Sequence, residues 1–251
     1  MQSSNSLADK VILITGASDG IGKATAIECA KQGATVIIHG KSQPKLEMLY
    51  DEILDAGFPE PVIYPLDLEK LTPEDCDTLN QVVHKEFGKL DGLFINAAWH
   101  GASTPMHQYD FELWHRVMQI NLNAAFMITS ACTPLLNHEG SSHILFNLDD
   151  KDTAYWGAYS VSKAGLTSMM KILADELENT PVQVTGILPG TVHTAMRTRA
   201  FPGENPADLT RPEEVAKAAC FLLSAQSKMI DGKPSHGRIF KLEELTDALN
   251  S

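Results

Sequence analysis

The amino-acid sequence predicts a doubly wound α/β fold: a single domain over residues 1–251, with a parallel sheet of about seven strands and helices on both faces. Three observations carry this. Strand-like and helix-like patterns alternate along most of the chain. The first strand pattern runs through a glycine-rich turn directly into a helix pattern. The 251 residues suffice for one large core, and no repeat, low-complexity tract or linker divides them.

Val11, Ile12, Leu13 and Ile14 form the unbroken apolar run expected of a fully buried strand. The turn Thr15-Gly16-Ala17-Ser18-Asp19-Gly20-Ile21-Gly22 follows, and residues 21–31 suit a helix. A turn of this kind points the helix's free N–H groups and positive dipole end at one place, which suits a pyrophosphate. Gly16 permits the tight turn, Gly20 the close approach of phosphates, and Gly22 the packing of helix on strand. Further strands are expected at 35–39, 61–66, 93–95, 142–148, 182–188 and 238–242. Between them the pattern predicts helices over 43–56, 73–87, 111–136, 158–179 and 211–224. The last is opened by Pro212, Glu213 and Glu214, a favourable first turn.

Composition narrows the function classes. Hydrophobic content of 43% and charged content of 21% are ordinary for a soluble globular protein. A net charge of −12 repels polyanions, so no nucleic-acid partner is expected. Cys29, Cys76, Cys132 and Cys220 lack metal-ligand spacing and read as reduced, buried thiols; no metal is expected. Residues 1–7 lack a basic region followed by an apolar stretch, so no signal peptide is expected. No apolar run reaches the length of a membrane helix, roughly 18 residues. A soluble, cytoplasmic protein is the expectation.

The segment Thr15-Gly16, three residues, then Gly20-Ile21-Gly22 resembles the signature of the short-chain dehydrogenase/reductase family, whose Rossmann-type fold binds NAD(P)(H). Other strand ends agree. Asp67, with Leu68 beside it, matches the aspartate near the adenine, and Asn96-Ala97-Ala98 the family's Asn-Ala-Gly segment. Pro189-Gly190, with Thr191 and Thr194, matches the segment around the nicotinamide amide. Ser18, Asp19 and Ile21 complete the cofactor-binding set within the glycine turn. After the second strand the chain reads His39-Gly40-Lys41-Ser42, with no carboxylate to repel a 2′-phosphate. Lys41 supplies a positive charge instead, which favours NADP(H), with NAD(H) as the alternative.

Tyr159-Ser160-Val161-Ser162-Lys163 carries the family's Tyr-x-x-x-Lys. Residues four apart share a helix face, and an ammonium beside a phenol lowers its pKa from roughly 10. The resemblance implies that Tyr159 exchanges the proton, Lys163 tunes it and holds the ribose, and Asn121 relays protons. It implies hydride transfer between nicotinamide and a small carbonyl or alcohol substrate, in a homodimer or homotetramer. One family residue is missing: Asp149 stands where a serine would hold the substrate carbonyl, and the loop to Tyr159 is about three residues short. Several readings of Asp149 stay open: a protonated donor, an impaired site in an NADP(H)-binding sensor or interaction protein, or a solvated acidic loop with Asp150 and Asp152. Thr153 is an alternative donor, and the acidic cluster an alternative cation site. His100 and His193 are candidate cleft residues, and Tyr155-Trp156 a candidate substrate or subunit contact. Met169, Met170 and Leu173 read as a stripe toward core or partner, and 196–210, with Arg197, Arg199, Phe201 and Pro202, as a substrate lid.

Overall fold

The computed structural model describes residues 6–245 and 248–249. The N-terminal stretch on which the signal-peptide expectation rests lies mostly outside them. The chain runs β1 Val11–Ile14, α1 Gly20–Lys31, β2 Thr35–Gly40, α2 Gln43–Asp55, β3 Val62–Pro65, α3 Pro73–Phe87 and β4 Gly92–Ile95. It continues with α4 Phe111–Met118, α5 Ala124–Leu136, β5 Ser142–Asn147, α6 Gly157–Glu176, β6 Val182–Leu188, α7 Ala195–Ala200 and α8 Pro212–Leu222. A two-stranded antiparallel ribbon, β7 Met229–Ile230 with β8 Lys233–Pro234, precedes β9 Ile239–Lys241.

The main sheet has the order β3-β2-β1-β4-β5-β6-β9, and every neighbouring pair is parallel. The expected seven strands are therefore present. The strand order reverses between β1 and β4, which opens a crevice at their carboxyl ends. Both faces of the sheet are covered. One core joins Ile12, Ile14, Val36 and Ile38 to α1, α2 and α8; the other joins Leu13, Leu93, Ile144 and Phe146 to α3, α5 and α6. That two-sided burial is why β1 and β5 read as continuous rather than alternating apolar runs.

One expectation is corrected. The single helix expected over 111–136 is broken: five residues, Gln119–Asn123, form a π-helical turn between α4 and α5. Inserted turns of this kind leave no mark in hydrophobic spacing, and they recur at functional sites. Of the two readings of the stripe Met169, Met170, Leu173, the structure has it on the chain's own core, with Met170 fully buried, while the neighbouring apolar Ile172 is exposed.

All four cysteines are free and buried, as their helical placement implies. Two close contacts dictate glycine locally. A Cβ at Gly22 would lie 2.2 Å from the Gly16 carbonyl oxygen, and one at Gly157 would lie 2.4 Å from the Tyr109 ring. Gly157 also takes a positive φ of 44°, turning the chain into α6.

The amino ends of the central strands are pinned by one buried carboxylate. Asp91 accepts from the Val11 N–H at 3.0 Å, from Lys10 at 2.9 Å and from Lys89 at 3.0 Å. Its backbone N–H bonds the Val11 carbonyl and its carbonyl accepts from His143 N–H. Burial alone would raise its pKa, but the hydrogen bonds and lysine charges outweigh that and hold it below the usual carboxylate range. A lowered folded-state pKa contributes stability that is present above the unfolded value and lost as pH falls through the folded value. Asp91→Asn is therefore expected to cost about 1–3 kcal/mol at neutral pH, read by urea unfolding. The gap from the native chain should close as pH falls below the ordinary carboxylate value; a gap independent of pH would refute the charge-based account.

Candidate active site

At the carboxyl ends of the strands lies a cavity of about 840 Å³. That is within the range of small-molecule sites, roughly 300–1,000 Å³. The turn after β1 forms one wall, with Gly16, Ser18, Asp19, Gly20 and Ile21 lining it. Gly22 does not reach the cavity; it lies against the Gly16 carbonyl and Asn96, packing helix onto strand. Lys41, Asp67 and Leu68 line the far end, Asn96, Ala97 and Ala98 the floor. Pro189, Gly190, Thr191 and Thr194 close the side beyond β6. Ala98 is not among the residues with positive φ, so a side chain fits where the family carries glycine.

A continuous hydrogen-bond chain fixes these strand ends to one another. Thr15 Oγ1 donates to the Phe94 carbonyl and accepts from the N–H groups of Asn96 and Ala97, at 2.9 and 3.1 Å. Asn96 Nδ2 donates to the Thr15 carbonyl, and Asn96 Oδ1 accepts from Asn147 Nδ2 at 2.9 Å. Lys163 Nζ then donates to the Asn147 carbonyl at 2.6 Å. Asn147 was missed in the sequence, although its place as the last residue of β5 was the available signal.

Tyr159 and Lys163 sit on one face of α6, both buried, and both line the cavity. Their electrostatics differ from expectation. Tyr159 is held well above the usual phenol range, first by burial, then by the charge of Asp149 and the hydrogen bond to it, with Arg197 opposing. Lys163 does not lower it, because Nζ turns to Asn147 and lies 5.8 Å from the centre of the Tyr159 ring. Burial instead brings Lys163 down to about 8, partly countered by Asp149. Asp149 Oδ2 accepts from the Tyr159 hydroxyl at 3.2 Å, and Oδ1 accepts from Lys151 N–H. Both oxygens thus have hydrogen-bond partners within the chain.

Asn121 is fully buried in the π-helical turn and does not line the cavity. Its Oδ1 accepts from Trp99 N–H at 2.7 Å, and its Nδ2 donates to the Trp99 carbonyl and to Ser162 Oγ. The side chain clamps the loop after β4 to α6, and both amide hydrogens are used.

Charged residues crowd the far end. Lys41 pairs with Asp67 at 2.9 Å and with Glu69 at 3.6 Å. Glu69 also pairs with Arg116, whose guanidinium lies 4.3 Å over the Trp99 ring. Asp19 caps α1 through Gly20 N–H and pairs with Lys45 at 3.0 Å. Burial raises Asp19 and Asp67, but their lysine partners and backbone N–H donors outweigh it and leave both below the usual range. Lys45, Glu69 and Arg116 were missed in the sequence. They sit within helices or loops, and only folding brings them to this end.

On the opposite side His100, Trp156, Tyr159 and Phe201 form an aromatic group. Phe201 and Arg197 belong to the expected lid, where α7 and the following turn cover the cavity. Arg197 stacks 4.0 Å over the Phe201 ring and pairs with Glu204 at 2.7 Å. Other candidate residues lie away from this group. Thr153 and His193 are exposed and outside the cavity, so neither faces a substrate. The Tyr155-Trp156 pair splits, with Trp156 in the cavity and Tyr155 59% exposed. Among the described residues no group of three His, Cys, Asp or Glu could hold a metal ion.

The residues present fit a dinucleotide. The amino end of α1, 12 residues long, opens on the cavity, and a Cβ at Gly16 would meet Ala97 Cα at 2.9 Å. His39, which burial pushes down to about 4, lines the cavity with Nε2 unpartnered.

A family model for short chain dehydrogenase matches residues 10–205. The chain is 38% identical over 229 residues to the oxidoreductase YciK of Escherichia coli, covering 90% of each. A short-chain dehydrogenase from Shigella flexneri, solved in complex with NADP, superposes with a TM-score of 0.90 at 37% identity, covering 96% of this chain and 99% of the other. One from Escherichia coli, solved with NADPH, gives the same figures: TM-score 0.90, 37% identity, 96% and 99% coverage.

Replacing Asp149 with asparagine removes the charge beside the phenol and should lower the Tyr159 pKa. The expected outcome is an acid shift of about 1–3 units in the Tyr159 ionisation, read as the tyrosinate absorbance in a pH titration of the native chain and the variant. An unmoved ionisation would show that burial alone sets the phenol.

Proposed function

The chain belongs to the short-chain dehydrogenase family, and we propose that it is an NADP(H)-dependent oxidoreductase acting on a carbonyl or alcohol substrate. One observation carries the reading: buried Tyr159 and Lys163 stand on one helix face at the wall of the cavity into which the glycine turn opens. The preference for NADP(H) over NAD(H) rests on two supports. Lys41 and Lys45 line the end of the cavity beyond β2 with no carboxylate directly after the strand. The Shigella flexneri and Escherichia coli relatives were solved with NADP and NADPH.

Bound NADPH supplies the hydride. The N–H groups and dipole end of α1 bind the pyrophosphate. Lys41 and Lys45 exchange part of their pairing with Asp67 and Asp19 for a 2′-phosphate. Lys163, anchored on Asn147, holds the nicotinamide ribose. Tyr159 gives its proton to the substrate oxygen, and burial together with Asp149 keeps that proton in place at neutral pH. Asp149 also disfavours the phenolate left behind, so it slows the same step.

That last point favours a second reading. The bond from Tyr159 to Asp149 suits a protein that binds NADP(H) as a sensor or interaction protein and does little chemistry. Exposed Phe126 on α5 and Val161 and Ile172 on α6 support self-association through those helices. No helix among the described residues is long and apolar enough to cross a membrane. The four free, buried cysteines support a cytoplasmic setting.

Titration with NADPH and NADH, read by nicotinamide fluorescence, tests the reading. NADPH should bind more tightly, and replacing Lys41 and Lys45 with alanine should weaken it about tenfold or more while sparing NADH. Binding of neither cofactor would overturn it. Tight binding with no turnover of any carbonyl, and turnover appearing in Asp149→Ser, would select the sensor.

A further inference from the structure

We propose that the cavity reduces protonated imines, which it accepts in preference to carbonyls, with the Asp149 carboxylate holding the iminium N–H. The inference rests on the NADPH-dependent reductase reading above and names a further substrate class for the same site.

A substrate carbonyl oxygen gathers negative charge as hydride arrives, so the group that holds it must be a donor. Asp149 stands where that holder is expected, and a carboxylate is an acceptor. The geometry keeps it at the reacting position. Asp149 is half-buried, lines the cavity, and has Oδ2 3.2 Å from the Tyr159 hydroxyl. A carboxylate offers about four lone-pair sites. Two are taken here, by the Tyr159 hydroxyl on Oδ2 and by Lys151 N–H on Oδ1, so Asp149 can accept further from a ligand in the cavity.

The bond that suits such a wall is C=N. A protonated imine carries a donor and a positive charge on the atom beside the reacting carbon. It pairs with a carboxylate through a charge-assisted hydrogen bond, and a carboxylate nearby favours its protonated form. The neighbouring cations have partners of their own. Lys163 Nζ donates to the Asn147 carbonyl at 2.6 Å, and Arg197 pairs with Glu204 at 2.7 Å.

The chemistry balances without a proton from tyrosine. Hydride forms a new C–H bond at the imine carbon, and the π pair of the C=N bond moves to nitrogen and cancels its charge. The imine is reduced to a neutral amine while NADPH is oxidised to NADP+. Tyr159, which burial and Asp149 keep protonated, surrenders nothing in this step. The feature that slows carbonyl reduction therefore costs nothing here. The carboxylate acts by binding the imine and keeping it protonated, so its effect reads in kcat/KM.

The test measures kcat/KM with NADPH for dihydroisoquinoline, a cyclic imine, and for alpha-tetralone, a ketone of similar size. The native chain is compared with Asp149→Asn and Asp149→Ser. The native chain should favour the imine by about tenfold or more. Asp149→Asn keeps the shape without the charge and should lose about 10–100-fold on the imine. Asp149→Ser should lose on the imine and gain on the ketone, which reverses the preference. A native preference for the ketone overturns the proposal and leaves the carbonyl reading in place, and that comparison holds whether or not either variant folds. Imine turnover that Asp149→Asn leaves intact overturns the role of Asp149. No native turnover of the imine overturns the proposal, and NADPH binding by fluorescence then separates two cases: retained, the cofactor reading stands; lost, it falls as well.

Discussion

The hydrogen-bond chain from Thr15 through Asn96 and Asn147 to Lys163 is the constraint on which the site depends. It joins the carboxyl ends of β1, β4 and β5 to α6, four elements far apart in sequence. Parallel strands end with unpaired backbone groups, and those groups need partners where the cavity excludes other structure. Thr15 and Asn96 supply them from side chains, which leaves the backbone of the glycine turn free to face a ligand. At the opposite edge Asp91 does the same with charge. Strand register is therefore held at both ends, and the cavity inherits its shape from the sheet.

The same chain explains the electrostatic division of labour. Lys163 is buried, and its cation is tolerable because a carbonyl accepts from it and Asp149 stands within range. Asp149 in turn raises Tyr159, so one carboxylate stabilises the cation and destabilises the phenolate. A serine in its place would do neither. The arrangement favours a protonated phenol at ordinary pH.

The parallel fold was legible because two-sided burial writes itself as unbroken apolar runs, and β1, β2 and β5 show them. Much of the cavity wall was legible because ligands collect at strand ends, where Asp67, Asn96 and Pro189 stand and where their resemblance to the family's segments singled them out. What escaped depends on three-dimensional neighbours. The π-helical turn at Gln119–Asn123 keeps the same residue types as a plain helix, and only packing of Asn121 against Trp99 distinguishes it. The inward turn of Met170 and the outward turn of Ile172 follow from the rotation of α6, which spacing fixes only to within a residue or so. The pairing of Lys45 with Asp19 spans 26 positions, and nothing local announces it.

The loop before α6 ties these points together. Tyr155 adopts a positive φ of 74° and Gly157 one of 44°, so the chain reverses sharply just before the helix. A bulky residue in that region carries strain, which persists only where surrounding contacts hold it. Here the contacts are Tyr109 packed against Gly157 and Trp156 set among His100, Tyr159 and Phe201. The reversal sends Tyr155 outward and Trp156 inward, so the aromatic wall follows from the backbone path of this loop. Asp149 enters at the other end of the same segment and takes the Tyr159 hydroxyl. Asp149 and the aromatic wall thus stand at two ends of one segment of backbone.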